Sequence, residues 1–217
     1  MSSQTAVVLG ASGLVGSHVV QKLLADDSFT TVRVLIRKPL LLQHPKLEQV
    51  LVDFANYEDY KIKLGKGDCI FCCIGTTKAN VKGDETEYRK IDFDIPVNAA
   101  RFSSEAGFQQ YLLVSAMGAN SKARIFYSRL KGEVEEVIGT FHFKGFHIFR
   151  PSFLLGNRKE KRMGELIAKT ISKIFSFLIP SNYKPIEATD VAAEMVKAAK
   201  AKEEGCKIYY YQDMING

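Results

Sequence analysis

Short apolar runs alternate with amphipathic stretches along most of the chain. Residues 5–10, TAVVLG, form an apolar run closing on glycine, and helical periodicity follows over roughly 14–26. The runs TVRVLIR (31–37) and LEQVLVD (47–53) are rich in β-branched and aliphatic residues and read as strands. YEDYKIKL (57–64) reads as a short helix and DCIFCCIG (68–75) as a fourth, fully buried strand. A long helix is predicted over 85–106, stopped by Gly107, with Pro96 as a kink inside it. QQYLLVS (109–115) and GFHIFRP (145–151) are the fifth and sixth strands, with a helix between them.

Strands separated by helical stretches mean βαβ units, hence an α/β fold with a doubly wound parallel sheet. Ligands of such folds bind at the carboxyl ends of the strands. Beyond Arg150 the rhythm loosens. Helices are predicted at 163–178 and 190–202, and KIYYYQ (207–212) reads as a late strand. The whole of 1–217 is read as one domain, with 151–217 a small cap on the substrate side of the same domain.

A length of 217 residues suits one such domain. Hydrophobic content of 46% and charged content of 25% are those of an ordinary globular protein. No run reaches the roughly 20 apolar residues of a membrane helix, and the N-terminus lacks a signal-peptide pattern. A cytoplasmic protein with no membrane partner is expected. The net charge of +6 is spread along the chain, apart from NRKEKR at 157–162, which reads as a solvated loop. It suits a phosphorylated cofactor, and no nucleic-acid partner is expected. No two of the four histidines stand at i+3 or i+4 and no Glu-x-x-His occurs, and Cys69 and Cys72, three apart in a strand, should face opposite ways. No metal site is expected. A homodimer is compatible with the sequence.

The chemistry begins at LGASGLVG. Gly10, Gly13 and Gly16 fall between the first strand and first helix at the spacing of a dinucleotide-binding turn. Gly10 would allow the tight turn, Gly13 the approach of a pyrophosphate, and Gly16 the close packing of helix on strand. The amides at the helix N-terminus, with Leu14 and Val15, would meet the anion, and Ser12 could add a hydroxyl. Arg37 and Lys38 stand after the second strand, where an NAD enzyme carries an acidic residue for the ribose 2′-hydroxyl. Cations there suit a 2′-phosphate, so NADP(H) is expected in preference to NAD(H). Asp53 could accept from the adenine amino group or cap the next helix. Cys73, Gly75 and Thr76 lie where the cofactor's ribose should pass.

Ser115 closes the fifth strand, and Tyr127 and Lys131 follow at i and i+4, on one helix face. Reduction of a carbonyl by hydride needs a proton donor for the developing alkoxide. A free tyrosine, with a pKa of about 10, is a poor base for the reverse step, and a nearby ammonium favours the phenolate. Lys131 could also hold the nicotinamide ribose, and Ser115 could hydrogen-bond and orient the carbonyl oxygen.

These pieces together resemble the short-chain dehydrogenase/reductase superfamily in its atypical branch. LGASGLVG, CCIGTT, YSRLKGEVE and FRPSFLLGNRKEKRMGE are similar to the Tat-interacting-protein type of oxidoreductase. The resemblance implies a Rossmann-fold NADPH binder and adds Arg150 and Pro151 to the cofactor side. It also implies a group in which some members act as NADPH-bound regulators. Two functions therefore fit: an NADPH-dependent reductase of a small carbonyl compound, or a regulatory protein that binds NADPH with little turnover.

Overall fold

The computed structural model describes residues 3–156 and 184–215. Seven parallel strands form one sheet in the order β3-β2-β1-β4-β5-β6-β9. They are β1 (Gln4–Leu9), β2 (Phe29–Ile36), β3 (Leu47–Leu51), β4 (Cys69–Cys72), β5 (Gln110–Val114), β6 (Gly145–Phe149) and β9 (Gly205–Tyr209). Strands β4, β5 and β6 are buried along their whole length, which is why their sequences are continuous apolar runs instead of alternating ones. The edge strands β3 and β9 are largely exposed, and they carry the polar residues.

One face of the sheet packs on α1 (Leu14–Ala25) and α6 (Ala188–Ala201), around Val19, Leu23, Phe71, Val191 and Met195. The other packs on α2 (Tyr57–Leu64), α4 (Ile95–Glu105) and α5 (Phe126–Gly139), around Tyr60, Ile70, Phe102 and Tyr111. Cys69 belongs to the first core and Cys72 to the second, so the two free thiols do lie on opposite faces. Burial pushes both thiols above their ordinary range.

The predicted helix over 85–106 is instead three pieces: α3 (Glu85–Arg89), a π-helical turn (Lys90–Asp94) and α4. Asp84 caps α3, its carboxylate accepting from the amides of Thr86 at 2.8 Å and Glu87 at 3.2 Å. Pro96 has no N–H to return to the preceding turn, and the wider π turn accommodates that lost bond. Gly107, at φ +84°, ends the segment as predicted.

Of the region beyond Pro151, β7 (Leu154–Leu155) and β8 (Ile186–Glu187) pair as a separate two-stranded ribbon. Helix α6 and strand β9 join the main sheet and its helical layer, and α7 (Tyr211–Ile215) closes the described chain. The predicted strand KIYYYQ ends earlier, at Tyr209, whose ring stacks on Phe149 at 4.5 Å. The helix predicted at 163–178 and the basic cluster at 157–162 lie outside the described residues. Among the described residues, no helix is long and apolar enough to cross a membrane.

Candidate functional site

Strand order reverses between β1 and β4, so a crevice opens at their carboxyl ends. A cavity of about 1050 Å³ lies there. The turn after β1 forms its floor. Gly10 sits at φ +78°, and a Cβ on it would come within 2.5 Å of the Cys73 carbonyl oxygen. A Cβ on Gly16 would come within 2.1 Å of the Gly10 oxygen, so α1 starts flush against the turn. No side chain caps α1 and no acidic residue stands in its first turn. The result is a cradle with the positive end of a helix dipole left open, which fits the pyrophosphate of a dinucleotide. Ser12, Gly13, Leu14 and Val15 line it, with Cys73, Gly75 and Thr76 opposite.

Ser115, Tyr127 and Lys131 line the same cavity. Ser115 extends β5 at the sheet edge, its amide donating to the Phe149 carbonyl at 2.7 Å. Tyr127 lies in the first turn of α5, 39% exposed, with its ring edge-on to Tyr88 at 6.5 Å. Lys131, one turn on, is buried. Gly132 lets the loop before α5 come down onto the helix, since a Cβ there would lie 2.1 Å from the Ser121 nitrogen.

Two buried carboxylates organise these groups. Asp92 is fully buried within the π turn. Its Oδ1 accepts from the Thr76 amide at 2.6 Å, and its Oδ2 forms an ion pair with Lys131 Nζ at 2.9 Å. Tyr88 donates its hydroxyl to the Thr76 carbonyl at 3.0 Å, fixing the same loop from the other side. Burial alone would pull the Lys131 ammonium down. The Asp92 carboxylate, helped by Tyr127, outweighs it and holds Lys131 above its ordinary value. Glu135, one turn beyond Lys131, accepts the Ser115 hydroxyl and pairs with Arg150 through both oxygens. Arg150 also donates to the Tyr210 hydroxyl at 3.1 Å.

A family model described as NAD(P)H-binding matches residues 10–202. The chain belongs to this NAD(P)H-binding family. Among its relatives are protein HTATIP2 of Rattus norvegicus, 30% identical over 78% of this chain and 70% of that protein, and the mitochondrial protein FMP52 of Candida glabrata, 33% identical over 94% of this chain and 88% of that protein. The Bordetella bronchiseptica enzyme WbmH in complex with NAD+ has the same fold, with a TM-score of 0.74 at 14% identity, covering 96% of this chain and 76% of that one. So does UDP-N-acetylglucosamine 4-epimerase from Bacillus cereus, with a TM-score of 0.72 at 19% identity over 96% and 79%. The likeness to these structures is one of fold. The chain is thus an NAD(P)H-binding protein with a seven-stranded Rossmann sheet.

Beyond the glycine turn, five residues assigned to the cofactor from the sequence do not line the cavity of this NAD(P)H-binding chain. Arg37 and Lys38 follow β2 and are exposed. Asp53 is exposed and folded into a local turn, its carboxylate accepting from the Ala55 amide at 3.0 Å, while Asn56 caps α2. Arg150 reaches the site only through Glu135, and Pro151 is a buried residue whose carbonyl accepts from the Met117 amide at 2.9 Å. Other lining residues had no sequence signal: His18 and Gln21 on α1, Leu40 to Leu42 before β3, and Glu187 and Thr189 near α6. Asp92 and Glu135 also belong to no motif in the sequence. The only pointers were an acidic residue shortly before a mid-helix proline, and one four residues after the lysine.

Proposed function

We propose that this chain is an NADPH-dependent reductase of a small carbonyl compound. The carrying observation is that Ser115, Tyr127, Lys131 and the glycine turn border one cavity at the sheet's switch point. Bound NADPH supplies the hydride. Tyr127 gives its phenolic proton to the carbonyl oxygen as the carbon is reduced, and its partly exposed ring lets solvent restore that proton. Lys131, held as a cation by Asp92, stays charged beside the phenol and keeps the developing phenolate favourable. Gly10, Ser12, Gly13, Leu14, Val15 and Gly16 hold the pyrophosphate, and Cys73, Gly75 and Thr76 the ribose. The preference for NADPH rests on Arg37 and Lys38, free at the end of β2 to reach a 2′-phosphate from outside the cavity wall. The cytoplasmic placement rests on the sequence alone, and the mitochondrial label in the names of the FMP52 relatives weighs against it.

The test is a panel of aldehydes and ketones, run with NADPH and NADH side by side on the wild type and on Tyr127→Phe. Loss of the phenolic proton should lower kcat by about 10² or more while NADPH affinity stays within twofold. An active Tyr127→Phe variant, or a wild type that prefers NADH, sinks the proposal. A wild type that binds NADPH but consumes none with any carbonyl leaves the regulatory reading in its place.

A further inference from the structure

The Ser115 hydroxyl has one proton, and the direction in which it points decides what the serine can do. Glu135 is buried, 7% exposed, and both of its oxygens accept from the Arg150 guanidinium, the Nε–Oε1 contact being 3.0 Å. An arginine is a permanent cation, and a carboxylate paired with it offers only acceptors. The hydrogen in the Ser115–Glu135 contact is therefore the serine's own. Ser115 itself is 5% exposed and still borders the cavity. With its hydrogen given to Glu135, the Ser115 hydroxyl has only oxygen lone pairs left to offer a ligand.

A carbonyl oxygen has no hydrogen to give such a group. We propose that Ser115 accepts a hydrogen bond from a hydroxyl on the substrate instead of donating one to the reacting carbonyl, and that the substrates are uncharged α-hydroxy carbonyl compounds. The proposal rests on the reductase reading and specifies its substrate. In it, Tyr127 alone donates to the carbonyl oxygen, Ser115 takes the neighbouring hydroxyl, and Glu135 is a positioning residue that fixes the serine's polarity. The charge along the cavity agrees. Among its lining residues the one lysine, Lys131, is already paired with Asp92, and the other carboxylate is the exposed Glu187. Among the described lining residues, no lysine or arginine is left to hold a substrate carboxylate or phosphate. In the reduction the carbonyl carbon gains hydride from NADPH, the carbonyl π pair takes the Tyr127 proton, and the α-hydroxyl is unchanged. The product is a vicinal diol.

The experiment compares hydroxyacetone with acetone, which differ by the one hydroxyl. The wild type should show at least about tenfold higher kcat/KM for hydroxyacetone, the value of one net hydrogen bond. Ser115→Ala should bring the ratio towards one by losing hydroxyacetone efficiency about tenfold more than acetone efficiency. A serine that donates to the carbonyl would lose both equally, and a merely structural serine would not move the ratio. Either result overturns the proposal, as does a wild type without preference. If neither ketone is turned over, the reductase reading falls separately. Ligand-observed NMR on the NADP+-loaded protein then decides whether hydroxyacetone binds more tightly than acetone and whether Ser115→Ala removes the difference. Equal binding overturns the inference.

Discussion

Asp92→Asn isolates one charge in the site. The side chain keeps its shape and its amide oxygen can still accept from the Thr76 amide, but Lys131 loses its counter-ion. At the observed 2.9 Å separation, two unit charges in an effective dielectric of about 20 attract by about 6 kcal/mol. Side-chain relative exposures of 5% and 1% leave water little room to replace that attraction. Removing one partner of a buried pair costs about 3–5 kcal/mol, because the remaining charge is stranded. The asparagine dipole recovers part of this, so a loss of about 3 kcal/mol is expected. For a chain of this length that is roughly 6–12 °C in Tm.

Thermal and urea unfolding of four proteins test this: wild type, Asp92→Asn, Lys131→Met, and the double variant. Lys131→Met strands Asp92 in the same way and should be destabilised by a similar amount. The double variant has no charge to strand and should recover at least half of the loss. The pH dependence has a defined sign. Lys131 is held above its ordinary value of 10.5, so the stabilisation is fully present below that pH and fades as pH rises past it. If Asp92→Asn unfolds within about 1 kcal/mol of the wild type, or the double variant is no more stable than the single, the account of the ion pair is wrong.

Two further outcomes follow from the packing. Gly132→Ala would place a Cβ 2.1 Å from the Ser121 nitrogen and 2.3 Å from the Asn120 carbonyl carbon. Backbone cannot yield as a side chain does, so a loss of at least about 3 kcal/mol and faster proteolysis within 118–125 are expected, and a variant of unchanged stability and protease resistance refutes the close approach. His147 is buried, with Nδ1 at 3.1 Å from the Tyr209 hydroxyl and Nε2 without a partner. Burial, with Lys207 adding to it against Glu203, holds the imidazole below its ordinary value of 6.5. Its stabilisation is therefore complete above pH 6.5 and declines as pH falls below it. Urea midpoints of the wild type should fall relative to His147→Gln between pH 7.5 and 5, and parallel curves would refute this.

The sheet was legible because buried parallel strands must be apolar throughout, and five helical stretches fall where the pattern puts them. The glycine turn was legible because its three glycines answer three separate steric demands, two of which the Cys73 and Gly10 oxygens now make concrete. Spacing alone did not single out Tyr127 and Lys131; the glycine turn upstream and Ser115 at the end of the fifth strand gave the pattern its weight, and all three residues line the cavity. The carboxylates that govern them were not. Asp92 reaches Lys131 across 39 positions from within the π turn before Pro96, a widening that a helical pattern read at 3.6 residues per turn does not contain. Glu135 looked like one more charge in KGEVEEV. Its neighbour Glu136 is exposed, and what separates the two is where Arg150 and Ser115 arrive from other strands. Local pattern therefore locates groups that line the cavity, while their ion pairs and proton directions depend on partners brought by the fold. A serine read from the sequence as a donor to a carbonyl has its hydroxyl turned to Glu135 in the fold, and the substrate proposed above follows from that one contact.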